Sequence, residues 1–129
     1  GDMTKNALKI IKKAMESLGL EYGFMRYSRN PMVYPYWVGS YQENPIVSES
    51  GHSTSLFSLN GNHRGSWDDL ETQKELIENY FNKVSGKTVM AEDGSAVAIF
   101  YANTLIVPTG DAELKRIQIN LDIHEWSVK

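Results

Sequence analysis

Cysteine is absent from these 129 residues, histidine occurs three times and proline four times. Without a thiol there is no disulfide, cysteine nucleophile, zinc–thiolate site or iron–sulfur cluster, a composition compatible with a reducing compartment. Three scattered histidines offer little to a metal enzyme, and neither a metal nor a cofactor is expected. No apolar run approaches the about 20 residues that a membrane-spanning helix requires; the longest are 96–102 and 105–108. No basic segment followed by an apolar one opens the chain, so no classical export signal is expected. Charge of one sign is lacking too: 13 Lys and Arg against 16 Asp and Glu leave a net charge of −3. Nucleic acid and anionic membranes normally meet a basic surface, so neither is an expected partner.

What is present suffices for one core. At 41% hydrophobic and 11% aromatic residues, the composition fits a single folded domain over 1–129. Gly1 and Asp2, ahead of Met3, read as a vector-derived or unordered start and carry no fold argument.

Between residues 4 and 18, Ala7, Leu8, Ile11, Ala14, Met15 and Leu18 recur at three- and four-residue steps among lysines, which predicts an amphipathic helix ending at Gly19. Tyr22, Phe24 and Met25 suggest a strand over 21–28, broken by Arg29-Asn30-Pro31. Residues 35–41 are aromatic and β-favouring and form a second expected strand, 54–60 a third. The stretch 43–53 is small and polar and reads as a loop. Asn60-Gly61-Asn62-His63-Arg64-Gly65 reads as a turn, after which Ser66 and Asp69 resemble a capping box. A second helix is expected from Trp67 to near Gly86, with Leu70, Ile77, Phe81 and Val84 on its apolar stripe. Residues 96–102 predict a strand buried on both faces. Ile117, Ile119, Leu121 and Ile123, alternating with Gln118, Asn120, Asp122 and His124, predict a last strand with one wet face. This order lacks the regular alternation of a doubly wound sheet. The expected fold is α+β: a mainly antiparallel sheet of four to five strands with two helices packed on one face.

Catalytic motifs are scarce. The glycines of 60–65 lack the Lys-Ser/Thr of a phosphate loop. His63 and Arg64 precede a helix N-terminus, where an anion could bind, yet Asp68 and Asp69 already bring negative charge there. His52 lies among Ser50, Ser53, Thr54 and Ser55, but no buried acid or nucleophile elbow accompanies it. His124 shares a strand face with Asp122, two ligands at most. Glu71 and Glu75 share a helix face and read as solvated. No catalytic, cofactor-binding or metal site is expected, and the chain reads as a non-enzyme.

Aromatic residues and loops are more suggestive. Trp37, Tyr41, Trp67 and Trp126 sit near element ends, and two polar loops cover 43–53 and 107–114. Trp37 reads as core, whereas Trp67 reads equally as packing under the preceding turn or as meeting a partner.

The order of features then resembles a known family: an N-terminal helix, Pro35-Tyr36-Trp37-Val38, a polar loop and strand, a second helix, and Leu105-Ile106-Val107-Pro108-Thr109-Gly110-Asp111 leading through Lys115 and Arg116 into the alternating last strand. This layout is similar to the small tail-terminator or tail-completion (minor tail) proteins of long-tailed bacteriophages and prophages. In that family a proline-containing loop with an acidic residue leads through a basic residue into a long C-terminal strand; Pro108, Asp111 and Arg116 fill those places. The loop around Gly51 and the stretch 60–65 fall outside the likeness.

The resemblance implies a structural role in the virion tail, with assembly in the bacterial host cytoplasm. It implies a ring, usually of six subunits, that caps the head-proximal end of the tail tube and meets the head–tail connector. Pro108, Asp111, Lys115, Arg116, Arg64 and Trp67 are the expected interface residues, with the loops 43–53 and 107–114 ordering on assembly. Replacing Arg116 by Glu should then weaken association and leave the fold intact. The alternatives are a head–tail neck protein, or a small ligand-binding or enzyme module that uses His52 or His124.

Overall fold

A computed structural model describes residues 5–42, 52–82, 86–90 and 94–126, with the backbone alone at 52 and 53. Its elements are α1 (Lys5–Ser17), β1 (Glu21–Phe24), β2 (Tyr36–Gln42), β3 (His52–His63), α2 (Trp67–Tyr80), β4 (Lys87–Met90), β5 (Ala96–Ile106) and β6 (Lys115–Trp126). The strands form one sheet in the order β1-β2-β3-β6-β5-β4. All neighbours are antiparallel except β1 and β2. The α+β class and the mainly antiparallel character hold. The expected four to five strands become six, and one pair is parallel.

Helix α1 buries Ala7, Ile11, Ala14 and Met15, the three- and four-residue spacing that keeps side chains on one face. It ends where the sequence says it should. Gly19 adopts φ 73°, its N–H donates to Glu16 O and that of Leu20 to Met15 O, both at 3.0 Å. These paired bonds form a Schellman cap, and the buried Leu20 and Met15 add its usual apolar contact. Strand β1 stops at Phe24, before the expected end at 28. Met25 takes φ 67°, and a Cβ on Gly23 would collide with the carbonyl oxygen of Arg26, so the backbone turns there.

Residues 60–63, expected in a turn, continue β3: Gly61 pairs with Trp37 on one side and Ile117 on the other. Glycine is needed here for space. A Cβ at Gly61 would lie 2.5 Å from Cζ3 of the Trp37 ring, which covers it. Helix α2 starts at Trp67 as expected, with Ser66 Oγ accepting from the Asp69 N–H at 3.3 Å. It ends at Tyr80, short of Gly86, because the Phe81 carbonyl already serves the sheet, accepting from the Tyr101 N–H at 2.6 Å. Val84 lies outside the described residues.

Strand β4 was not expected. Its four residues are all exposed, so no alternation marks it. Strand β5 runs past the expected end at 102, and Ala102 is the extra residue of a bulge between Tyr101 and Asn103. Only Val97, Ala98 and Ile99 are buried in β5, so burial on both faces is confined to that stretch.

Both helices face one side of the sheet. Ile11 and Met15 of α1, Leu70 and Ile77 of α2, and Phe81 join Trp37, Phe57, Leu59, Ile99 and the alternating Ile117, Ile119, Leu121 and Ile123 in one core. The Trp37 indole N–H donates to Gln73 Oε1 of α2 at 2.8 Å, so this tryptophan is core, as expected, with its polar atom satisfied.

Candidate functional site

At one corner of the sheet the end of β5, the loop 107–114, the start of β6 and the first residue of α2 enclose a cleft of about 370 Å³. Its lining includes Trp67, Ile106, Pro108, Asp111, Lys115 and Arg116. Arg64 joins from the end of β3, its Nη1 lying 3.3 Å from Asp111 Oδ2. The interface residues proposed from sequence therefore meet at one place. The register does this: Asn62 opposes Arg116 and His63 opposes Lys115, so the residues after β3 and before β6 emerge side by side.

The loop is held by its own bonds. Thr109 Oγ1 lies 2.8 Å from Leu114 O and 2.9 Å from Asp111 O. The Glu113 N–H donates to Asp111 Oδ1 at 2.9 Å, the Leu114 N–H to Asp111 O at 3.1 Å, and the Val107 N–H to Arg116 O at 3.0 Å. Gly110 supplies the left-handed turn at φ 75°. The loop expected to order on assembly thus has acceptors within the single chain for the N–H groups of Val107, Glu113 and Leu114. The loop 43–51 lies outside the described residues.

The Glu113 N–H, and then the Arg64 charge, hold the Asp111 carboxyl below its usual range. The Tyr34 hydroxyl, and then Asp111, favour the charged form of Arg64. Lys115 Nζ stands 6.0 Å from the Trp67 ring centre, the outer reach of a cation–π contact. Trp67 is 40% exposed and Ile106 64%. Exposed aromatic and aliphatic anchors with a charged rim are the usual make-up of a protein-binding patch.

Arg116 needs a correction. Its Nε donates to Asn62 Oδ1 at 2.7 Å, and Asn62 is buried, so Arg116→Glu would also remove a bond that the fold uses. Trp67 and Ile106 are the cleaner probes. The anion site at His63 and Arg64 also fails, because His63 Nε2 lies 3.2 Å from Asp69 Oδ2 and Arg64 is turned to Asp111.

The face of the sheet away from the helices carries a polar network that the sequence reading missed. Ser58 Oγ and Gln118 Nε2 both donate to Asn120 Oδ1 at 2.8 Å, and Asn120 Nδ2 donates to Asn103 Oδ1 at 2.8 Å. The bulge at Ala102 makes this possible. Tyr101 opposes the core-facing Leu121, and Asn103 opposes Asn120, so the extra residue moves Asn103 to the polar face. The alternation Ser58, Asn60, Asn62 in β3 was the available signal.

The histidine readings gain no support. His124 packs edge-on against Phe100 at 5.7 Å and stacks with Trp126 at 6.0 Å, while Asp122 is exposed. Ser50 and the side chain of His52 lie outside the described residues. Glu71 pairs with Lys74 at 2.6 Å, not with Glu75. Among the described residues no three His, Asp or Glu side chains group to hold a metal, and no helix is long and apolar enough to cross a membrane.

No protein-family model matches the chain, and no curated protein matches it.

Proposed function

We propose that the chain is a structural subunit of a long-tailed phage or prophage particle, of the tail-terminator type. In this reading copies close into a ring, usually of six, at the head-proximal end of the tail tube and join the tail to the head connector. The partners are further copies of the chain, the tail tube protein and the connector protein. A ring closes when a head-to-tail contact repeats through a rotation that divides the circle.

The observation that carries the reading is the corner cleft. Its exposed anchors Trp67 of α2 and Ile106 of β5, with Arg64 and Lys115, surround the loop 107–114, which carries Pro108 and Asp111 and is held by its own bonds. Such a patch binds without first having to order its loop, which favours assembly.

Negative-stain electron microscopy of the chain, alone and produced together with a tail tube protein, tests the proposal. Rings, or caps on tube ends, are expected. Ile106→Asp combined with Trp67→Ala should remove them, while the unfolding temperature stays within a few degrees of wild type, since both sites are exposed. Tubes of uncontrolled length with no bound chain would overturn the reading.

A further inference from the structure

Helix α1 carries Lys5, Lys9, Lys12 and Lys13 against Glu16 alone, a net +3. The whole chain is −3, which leaves −6 for the remainder. All four lysines are exposed, and among the described residues none forms an ion pair. Beside them the groove between α1 and β1, about 370 Å³, is lined by Leu8, Lys9, Lys12, Tyr22, Gly23 and Phe24. It is an apolar cleft rimmed by two lysines. On the far side of the helix, Lys9 and Lys13 rim a second groove, about 240 Å³, with Ile10, Val89 and Val97 in its lining.

Helix α2 has the opposite character. Asp68, Asp69, Glu71, Glu75 and Glu78 against Lys74 give a net −4. Glu71, Asp69 and Glu78 have partners within the molecule, in Lys74, His63 and Thr104. Asp68 and Glu75 have no ion-pair partner among the described residues. Close to Glu75, Leu76 stands 41% exposed on the same outward face. Within one molecule the two helices serve different strands, α1 packing by β1 and α2 over β3 and β6.

We propose that the lysine face of α1 receives the acidic face of α2 from a second copy of this chain, with Leu76 entering the groove between α1 and β1 and Asp68 and Glu75 meeting Lys9 and Lys12. The inference rests on the self-assembly reading and names its subunit contact. Charge complementarity selects the occupant, and the apolar groove sharpens the choice. A phosphate backbone would meet the lysines but offer nothing to Leu8, Tyr22 and Phe24, whereas α2 brings acids and an exposed leucine together. Every copy carries one surface of each kind, so the contact can repeat from subunit to subunit.

Charge reversal on the intact chain tests this, read by analytical ultracentrifugation at low and high salt. Wild type should self-associate, more weakly as salt screens the contact. Lys9→Glu with Lys12→Glu, and separately Asp68→Lys with Glu75→Lys, should each weaken self-association about tenfold or more. Mixing the two variants should restore it, because each then presents a surface complementary to the other; that rescue also shows that both are folded. Wild type that stays monomeric at millimolar concentration, reversals without effect, or a mixture without rescue would each overturn the inference. Binding of duplex DNA that is lost on Lys9→Glu with Lys12→Glu, with self-association unchanged, would overturn it in favour of a nucleic-acid surface. Rings that form regardless of the reversals leave the assembly reading standing and remove this contact. A rescued contact that yields only a dimer keeps the contact and removes the ring.

Discussion

A methyl group added at Gly61 would stand 2.5 Å from Cζ3 of Trp37, a ring that is wholly buried and tied by its N–H to Gln73. Neither ring nor strand can give way freely, so Gly61→Ala should destabilise the fold by about 1–3 kcal/mol through overpacking. Urea denaturation would read this as a lower midpoint at unchanged slope. Two surface carboxylates add a small contribution to the acid side of the stability curve. Asp111 is held below its ordinary value by the Glu113 N–H and Arg64, and Glu21 by the Arg29 and Tyr27 side chains. A lowered folded-state value means that the unfolded chain binds protons more readily. The stabilisation is therefore complete above the usual carboxylate range and is lost as pH falls through the lowered values. Wild type should unfold at a higher temperature than Asp111→Asn with Glu21→Gln at neutral pH, and the gap should narrow and then close as pH falls below the usual carboxylate range and through the lowered values. A gap that persists in acid would place the effect outside these two groups.

At the scale of elements, the strongest local signals are the ends of the helices. Ser66 receives the Asp69 N–H, one of the orphan donors of α2. Ser66→Ala should thus cost about 1 kcal/mol, measured by thermal or urea unfolding. Legibility in the sequence follows the same division. Gly19, Ser66 and the strict alternation of 117–123 act through neighbours a few residues away, and each marks its element correctly. What was not legible depends on distant pairing. Residues 60–63 have turn-forming side chains, yet Trp37 and Ile117 on flanking strands draw them into β3. Lys87–Met90 is an exposed edge strand and shows no period; it becomes a strand only because residues 96–99 offer a partner. Ala102 looks like a strand end and is a bulge. The site follows the same rule. The family likeness supplied Pro108, Asp111 and Arg116, but the approach of Arg64 to Asp111, 47 positions away, exists only once β3 and β6 are in register.

For the whole molecule, the strand order makes β3 and β6 the centre and β1 and β4 the edges. Central strands are paired on both sides and contribute Phe57, Leu59 and the run from Ile117 to Ile123 to the core, so their amides open only when the whole domain unfolds. Edge amides can open locally. Native-state hydrogen exchange should therefore show the greatest protection at Leu59, Ile119 and Leu121, and little at Thr88 or Val89. The loop 107–114 makes the more telling measurement. The Val107, Glu113 and Leu114 N–H groups all have acceptors within the loop or on β6, so these amides should be protected in the isolated chain. That outcome makes the corner a preformed surface, able to associate without a folding step and with little dependence of its own mobility on partners. Unprotected amides there, becoming slow only in assembled material, would mean that these bonds close on binding. The affinity of the corner would then have to cover the cost of ordering eight residues, and Trp67 and Ile106 would have to contribute correspondingly more.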